Sequence, residues 1–136
     1  MSVTSRTALT VRALAWVARV EWNRRRRSFG ELLERLEREP LGRRRSISTQ
    51  SALAALSRAY LLTPFRSSCL KESLAGVGLL RSLGYDARLA IGVRGTGTPV
   101  DAHAWIAVDG TPLDPLASNY VPLRSREAVG GTRLHP

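Results

Sequence analysis

Apolar residues recur at three- and four-residue intervals through the first half of the chain, which is the spacing of amphipathic helices. In residues 7–22 the stripe comprises Leu9, Val11, Leu14, Val17 and Trp22. A second helix is predicted from Phe29, with Ser28 as its cap and Pro40 as its stop. A third is predicted over about 48–62, with Ser48 or Thr49 as its cap. Its apolar face would be formed by Leu53, Leu56, Tyr60 and Leu61.

The pattern changes after Pro64. Residues 67–84 predict one more helix, with Ser67 or Ser68 as cap and Gly84 as stop. Gly76 and Gly78 each cost such a helix roughly 1 kcal/mol relative to alanine. We therefore expect both glycines to allow close packing against a neighbouring strand or helix.

Two-residue alternation begins at Ala87 and predicts strands over 87–94 and 102–108. In the second strand, His103, Trp105 and Ala107 lie on the face opposite Ala102, Ala104, Ile106 and Val108. The pair Asp109-Gly110 is a strong hairpin signal, so residues 111–115 are predicted to return as a short third strand. The remaining residues carry little pattern.

These elements predict an α+β fold in a single domain over residues 1–136. Residues 1–63 form a helical, arginine-rich part, residues 64–120 a core of helix and antiparallel sheet, and residues 121–136 a C-terminal loop or tail. With 43% apolar and 24% charged residues, the composition is that of a globular domain. No apolar run approaches the roughly 18 residues of a membrane span, and no signal-peptide cleavage site is evident. The single cysteine cannot form an internal disulfide, so we expect a cytoplasmic protein.

Cys69 falls in the first turn of the helix predicted over 67–84. Helix N-termini favour a thiolate, and the Cys69 N–H could donate a hydrogen bond to an oxyanion. A lone cysteine is more often a small buried apolar residue. The residues that could assist the thiol therefore decide between the two interpretations.

His103 lies on the polar face of its strand, and the hairpin at 109–110 would fold Asp114 back towards it. A carboxylate there would orient the imidazole and stabilise its charged form. Asp109 is better explained as a turn residue and Asp101 as a loop residue, so Asp114 is the predicted partner. Trp105 could form a wall of the cleft or serve ordinary packing. A zinc site built from Cys69, His103 and His135 would lack every familiar ligand spacing.

The residues that carry a resemblance are Cys69-Leu70, the run LLRSLGYDARLAIGV at 79–93, Ala102-His103-Ala104-Trp105-Ile106 and Val108-Asp109-Gly110. Over about residues 65–116 the chain resembles the transglutaminase-like cysteine peptidases of lasso-peptide biosynthesis, most closely the stand-alone B2-type leader peptidases. The resemblance implies a transglutaminase-like or papain-like core, in which a catalytic helix packs on a small antiparallel sheet. It also implies catalytic roles for Cys69, His103 and Asp114.

The same resemblance implies a substrate and partners. The substrate would be a ribosomally made precursor whose leader is cut from its core. A separate leader-recognition protein (an RRE protein of B1 type) would deliver it, and a lasso cyclase would then close the ring. No cofactor or metal is implied. The alternatives are a transglutaminase-like acyltransferase acting on an amine, or a non-catalytic basic binding module.

The formal charge of +10 is concentrated in residues 1–68, which hold 14 of the 21 basic residues and 5 of the 11 acidic ones. Clusters at 24–27 and 43–45 could neutralise phosphates, but no nucleic-acid-binding motif accompanies them. We interpret them as docking residues for an acidic leader or partner protein.

Overall fold

A computed structural model describes residues 3–43, 46–66, 68–95 and 101–124. Four α-helices precede an antiparallel sheet in the order β3-β2-β1-β4, with a 3₁₀ helix (Pro115–Asn119) before the last strand. The helices are α1 (Val3–Arg24), α2 (Phe29–Arg38), α3 (Thr49–Leu61) and α4 (Cys69–Ser82). The strands are β1 (Ala87–Arg94), β2 (Asp101–Val108), β3 (Thr111–Pro112) and β4 (Val121–Arg124). The predicted α+β class is confirmed. No helix in the described ranges is long and apolar enough to cross a membrane.

Helix α4 is the centre of the molecule, because the other three helices pack on it from one side and β1 and β2 from the other. Every residue from Ser73 to Arg81 is buried. The largest side chains in the core come mainly from this helix and from α1. They are Leu74, Val77, Leu79, Leu80 and Leu83, together with Val17 and Val20.

The two glycines of α4 are the points of closest approach, as predicted. A Cβ at Gly76 would meet the end of the Ile106 side chain on β2, whereas a Cβ at Gly78 would overlap the Trp16 ring on α1. The Ile106 side chain can rotate away, but the Trp16 ring is rigid. Gly78 therefore sets how closely α1 lies against α4.

The apolar face predicted for α1 is only partly right. Val11 and Trp22 are exposed, and the buried face consists of Leu9, Thr10, Ala13, Val17, Val20 and Glu21. The buried face of α3 is likewise built largely from alanines, whereas the predicted face residue Leu61 is exposed. Small residues let helices approach closely, and a pattern based on large apolar side chains misses such a face.

The capping predictions for α2 and α3 are confirmed. Ser28 forms a capping box with Glu31, and the Ser48 hydroxyl accepts the Ser51 N–H. Glu37 of α2 serves a different purpose, which the sequence did not indicate. Its buried carboxylate accepts the Leu89 N–H of β1 at 3.0 Å, at a part of β1 that β4 does not cover.

Strands β1 and β2 pair along their whole length, with Gly92 opposite His103. Asp109 and Gly110 both have positive φ, 52° and 82°, as a tight hairpin requires. The predicted third strand over 111–115 is too long, since β3 ends at Pro112. The chain leaves the sheet there because Asp114 and Pro115 begin the 3₁₀ helix.

The predicted loop or tail over 121–136 is wrong at its start. Residues 121–124 form β4, which pairs with β1 at Ile91, Gly92 and Val93. A four-residue edge strand that contains Pro122 shows little alternation, so its pattern is weak. Residues 125–136 lie outside the described part of the chain.

We expect Gly78→Ala to lower the free energy of unfolding by about 1 to 2 kcal/mol, because the strain of overpacking against Trp16 exceeds the gain in helix propensity. Gly30→Ala is the matched control. It lies in α2 with nothing within 4 Å of the added carbon, so it should raise stability by up to about 1 kcal/mol. Urea unfolding measures both. A Gly78→Ala variant as stable as Gly30→Ala would contradict the close approach.

Candidate active site

Cys69 is the first residue of α4, and its side chain is exposed. Of the two serines considered as caps, Ser68 is the cap: its hydroxyl accepts the Lys71 N–H at 3.2 Å, and its carbonyl accepts the Glu72 N–H at 2.9 Å. Ser67 lies outside the described residues. Within the described ranges, the N–H groups of Cys69 and Leu70 form no hydrogen bond. The thiol therefore sits beside two free donors at the positive end of a helix.

His103 and Asp114 are in direct contact. The Nε2 atom of His103 is hydrogen-bonded to Oδ2 of Asp114. The other oxygen, Oδ1, accepts the Leu116 N–H at 2.9 Å, so the carboxylate also caps the 3₁₀ helix. Both oxygens are fixed, and they fix the imidazole in turn. Since Nε2 is taken by Asp114, Nδ1 is the ring nitrogen left to act on a neighbouring group.

The environment of Asp114 keeps its carboxylate charged. Burial alone would raise the pKa of Asp114, but the hydrogen bond from His103, the Leu116 N–H and the charge of His103 outweigh it, and the pKa is lowered. The ionised carboxylate is bonded to Nε2 and orients the imidazole ring.

Asp109 and Asp101, the other two carboxylates considered as partners of His103, have different structural roles. Asp109 is exposed in the hairpin turn. Asp101 is the first residue of β2 and not, as predicted, a loop residue. It forms an ion pair with Arg94 at 2.6 Å and accepts the Tyr120 hydroxyl at 3.1 Å. The Arg94 hydrogen bond, followed by that of Tyr120, lowers the pKa of Asp101. Of the three candidates, only Asp114 contacts the His103 ring nitrogen.

Tyr120 supports the histidine and was not predicted from the sequence. Its ring packs on His103 with centroids 5.1 Å apart, and Trp105 stacks on the same imidazole at 6.0 Å. Gly92 makes room for both, because a Cβ there would lie 2.7 Å from the Trp105 ring and 2.8 Å from Cβ of Tyr120. Trp105 is buried and also lines the cleft. Both roles considered for Trp105 therefore apply.

A cavity of about 350 Å³ joins these residues. Cys69, His103 and Asp114 all line it, together with apolar residues of α3 and β2. A larger cavity of about 650 Å³ lies between α1 and α2, but its walls are arginines and glutamates without a nucleophile. In the described ranges, no group of three or more His, Cys, Asp or Glu residues is arranged to hold a metal ion. His135 lies outside those ranges.

A comparison with protein families matches residues 10–125 to the Transglutaminase-like superfamily. The chain belongs to that superfamily. Searches of curated proteins and of solved structures find no match. The superfamily match covers both the helical half and the sheet. It supports chemistry of the cysteine-protease or acyltransferase type.

In this transglutaminase-like domain, a buried ion pair anchors the helix that carries Cys69. Lys71, in the first turn of α4, donates to Oε1 of Glu21 on α1 at 3.2 Å. Arg24 also bonds to the Glu21 carboxylate. Burial would raise the pKa of Glu21, but the hydrogen bonds and charges of Arg24 and Lys71 outweigh it, and the pKa is lowered. The sequence placed Glu21 off the apolar stripe of α1 and gave no sign that it is buried.

We expect Glu21→Gln to lower the free energy of unfolding by about 1 to 3 kcal/mol at neutral pH, because it leaves Lys71 without a charged partner. The folded-state pKa of Glu21 is lowered, so its contribution is complete above the unfolded pKa of about 4.3 and is lost as pH falls through the folded pKa. The difference between wild type and variant should therefore shrink in acid. Unfolding at a series of pH values measures it.

Glu34→Gln is the control for this measurement. Glu34 pairs with Arg38 on the surface, with both side chains about 70% exposed, and such pairs contribute roughly 0.3 to 0.5 kcal/mol. A Glu21→Gln variant that behaves like Glu34→Gln would contradict the anchoring role.

Proposed function

We propose that this protein is a cysteine peptidase that removes the leader from a lasso-peptide precursor. The observation that carries the proposal is the shared cavity of Cys69, His103 and Asp114, with Asp114 bonded to the imidazole. Superfamily membership supports chemistry of this type, and the motifs around Cys69 and His103 support the leader-peptidase assignment.

The proposed reaction begins with attack of the Cys69 thiolate on the carbonyl carbon at the junction of leader and core. The N–H groups of Cys69 and Leu70 stabilise the oxyanion that forms. His103, through Nδ1, gives a proton to the departing amine, and the core peptide leaves. The histidine then takes a proton from water, which hydrolyses the thioester and frees the leader and the thiol. Asp114 holds the ring throughout.

Delivery of the substrate belongs to the same proposal. A separate RRE protein of B1 type binds the leader, and a lasso cyclase takes the released core. In the described part of the chain, Arg24 bonds to Glu21 and Arg25 lies 3.7 Å from it, so half of the 24–27 cluster also has a structural role. A reactive free thiol suits a reducing compartment, and we place the protein in the cytoplasm.

Reactivity of the thiol tests the proposal without a substrate. An ordinary thiol is only a few per cent ionised at neutral pH, so an activated Cys69 should react with iodoacetamide about tenfold faster than Cys69 in His103→Ala. Asp114→Asn should also slow the reaction, because it removes the charge that stabilises the imidazolium. Cys69 is the only cysteine, so intact mass reports on it alone.

Asp109→Asn is the matched control for Asp114→Asn. It removes a carboxylate from the same hairpin region, but asparagine suits the turn at that position, so the rate should not change. Slow alkylation of the wild-type protein that is insensitive to His103→Ala would overturn the peptidase proposal.

Product masses separate hydrolysis from acyl transfer, which shares the thioester and differs in the group that resolves it. With precursor peptide and its recognition protein, we expect two fragments whose masses sum to the precursor plus one water. Cys69→Ala should abolish both fragments. A leader fragment that carries an added amine would instead establish the acyltransferase, the alternative that superfamily membership allows.

A further inference from the structure

Glu72 is a second functional group on the wall of the cleft that holds Cys69. It follows Cys69 by three residues in α4, and side chains three apart on a helix are neighbours, about 5 to 6 Å between Cβ atoms. Both residues line the cavity of about 350 Å³. The carboxylate therefore lines the same cleft as the thiol.

No described residue balances the charge of Glu72. Among the described residues, the other half-buried or buried carboxylates have partners: Glu21, Glu39 and Asp86 bond to cations, Glu37 to a backbone N–H, and Asp114 to His103. The Glu72 carboxylate forms neither a hydrogen bond nor an ion pair within the described ranges. No Lys or Arg side chain of the described residues lines this cavity, so the charge of Glu72 is available to a cation that enters the cleft.

The surroundings strengthen any charge interaction in the cleft. Much of the remaining lining is apolar, including Leu53 and Leu56 of α3 and Ile106 of β2. Charges attract more strongly where such groups displace water. The influence of Glu72 also reaches α3: burial chiefly, followed by the negative charges of Glu72 and Glu21, raises the pKa of Tyr60 to about 12.

We propose that Glu72 forms a cation subsite that selects substrates with a lysine or arginine side chain beside the scissile bond. The proposal rests on the peptidase function proposed above and names a class of residue that its cleft prefers. The carboxylate acts by binding the substrate and takes no part in proton transfer.

A purely structural role for Glu72 makes a different prediction. A glutamate in the first turn of a helix favours the positive end of the helix dipole. In that case Glu72→Gln would lower stability but would not change which charged reagents reach Cys69.

The test compares two thiol reagents of similar size and opposite charge. Trimethylammonioethyl methanethiosulfonate is a cation, and sulfonatoethyl methanethiosulfonate is an anion. Intact mass gives the rate at which each modifies Cys69 in wild type, Glu72→Gln and Glu72→Lys. Changes in the ionisation of the thiol affect both reagents equally, so the ratio of the two rates isolates the charge near Cys69.

We expect Glu72→Gln to lower the ratio of cation to anion rates by about tenfold, and Glu72→Lys to lower it further. Glu34→Gln removes an equal charge from the distant α2 surface and should leave the ratio unchanged. An unchanged ratio in Glu72→Gln would overturn the subsite. This readout stays valid even if His103→Ala shows that Cys69 is not activated, so failure of the two proposals can be told apart.

A peptide-like probe extends the test to the shape of a substrate. Tosyl-lysine chloromethyl ketone should inactivate wild type several-fold faster than its uncharged norleucine counterpart, because Glu72 attracts the ammonium group. Glu72→Gln should lose that preference. Equal rates for both probes on the wild-type protein would count against the subsite.

Discussion

Helix α4 has to be buried along most of its length and still expose its first residue. It meets this constraint by ending its buried surface at Ser73 and by presenting Cys69 beyond that point, at the rim of a cavity. The burial requires glycine at Gly78, since the rigid Trp16 ring of α1 lies too close for a larger residue, while Gly76 lies against the end of the Ile106 side chain of β2. The other elements surround the exposed first turn of α4 with the residues that line the cavity.

The first turn of α4 and the His103 ring are held in place in two separate ways. On the thiol side, the charge of Lys71 is neutralised by Glu21, which fixes the first turn of α4 against α1. On the histidine side, the ring is bonded at one edge by Asp114 and packed on by Tyr120 and Trp105. Tyr120 is itself held by Asp101, which pairs with Arg94. The cleft therefore lies between an ion pair on the side of the thiol and aromatic rings on the side of the histidine.

The sequence predicted the elements well where capping residues and alternation were strong. It placed the Ser28 and Ser48 caps, the hairpin at Asp109 and Gly110, and the packing role of Gly76 and Gly78. It also predicted that His103 and Asp114 would lie close together. The predicted position of Asp114 on a strand was wrong, because Asp114 caps a 3₁₀ helix. The aromatic support was not predictable, since Tyr120 stands outside any periodic stretch. Glu21 and Glu37 were missed because burial of a charge depends on partners distant in sequence.

The last strand connects the edge of the sheet to the histidine. β4 pairs with β1 at Ile91, Gly92 and Val93, and Gly92 lies opposite His103 on β2. Tyr120, directly before β4, packs on the His103 ring. Loss of β4 would therefore free the edge of β1 and remove the Tyr120 contact of the imidazole together, although no described residue of β4 lines the cavity.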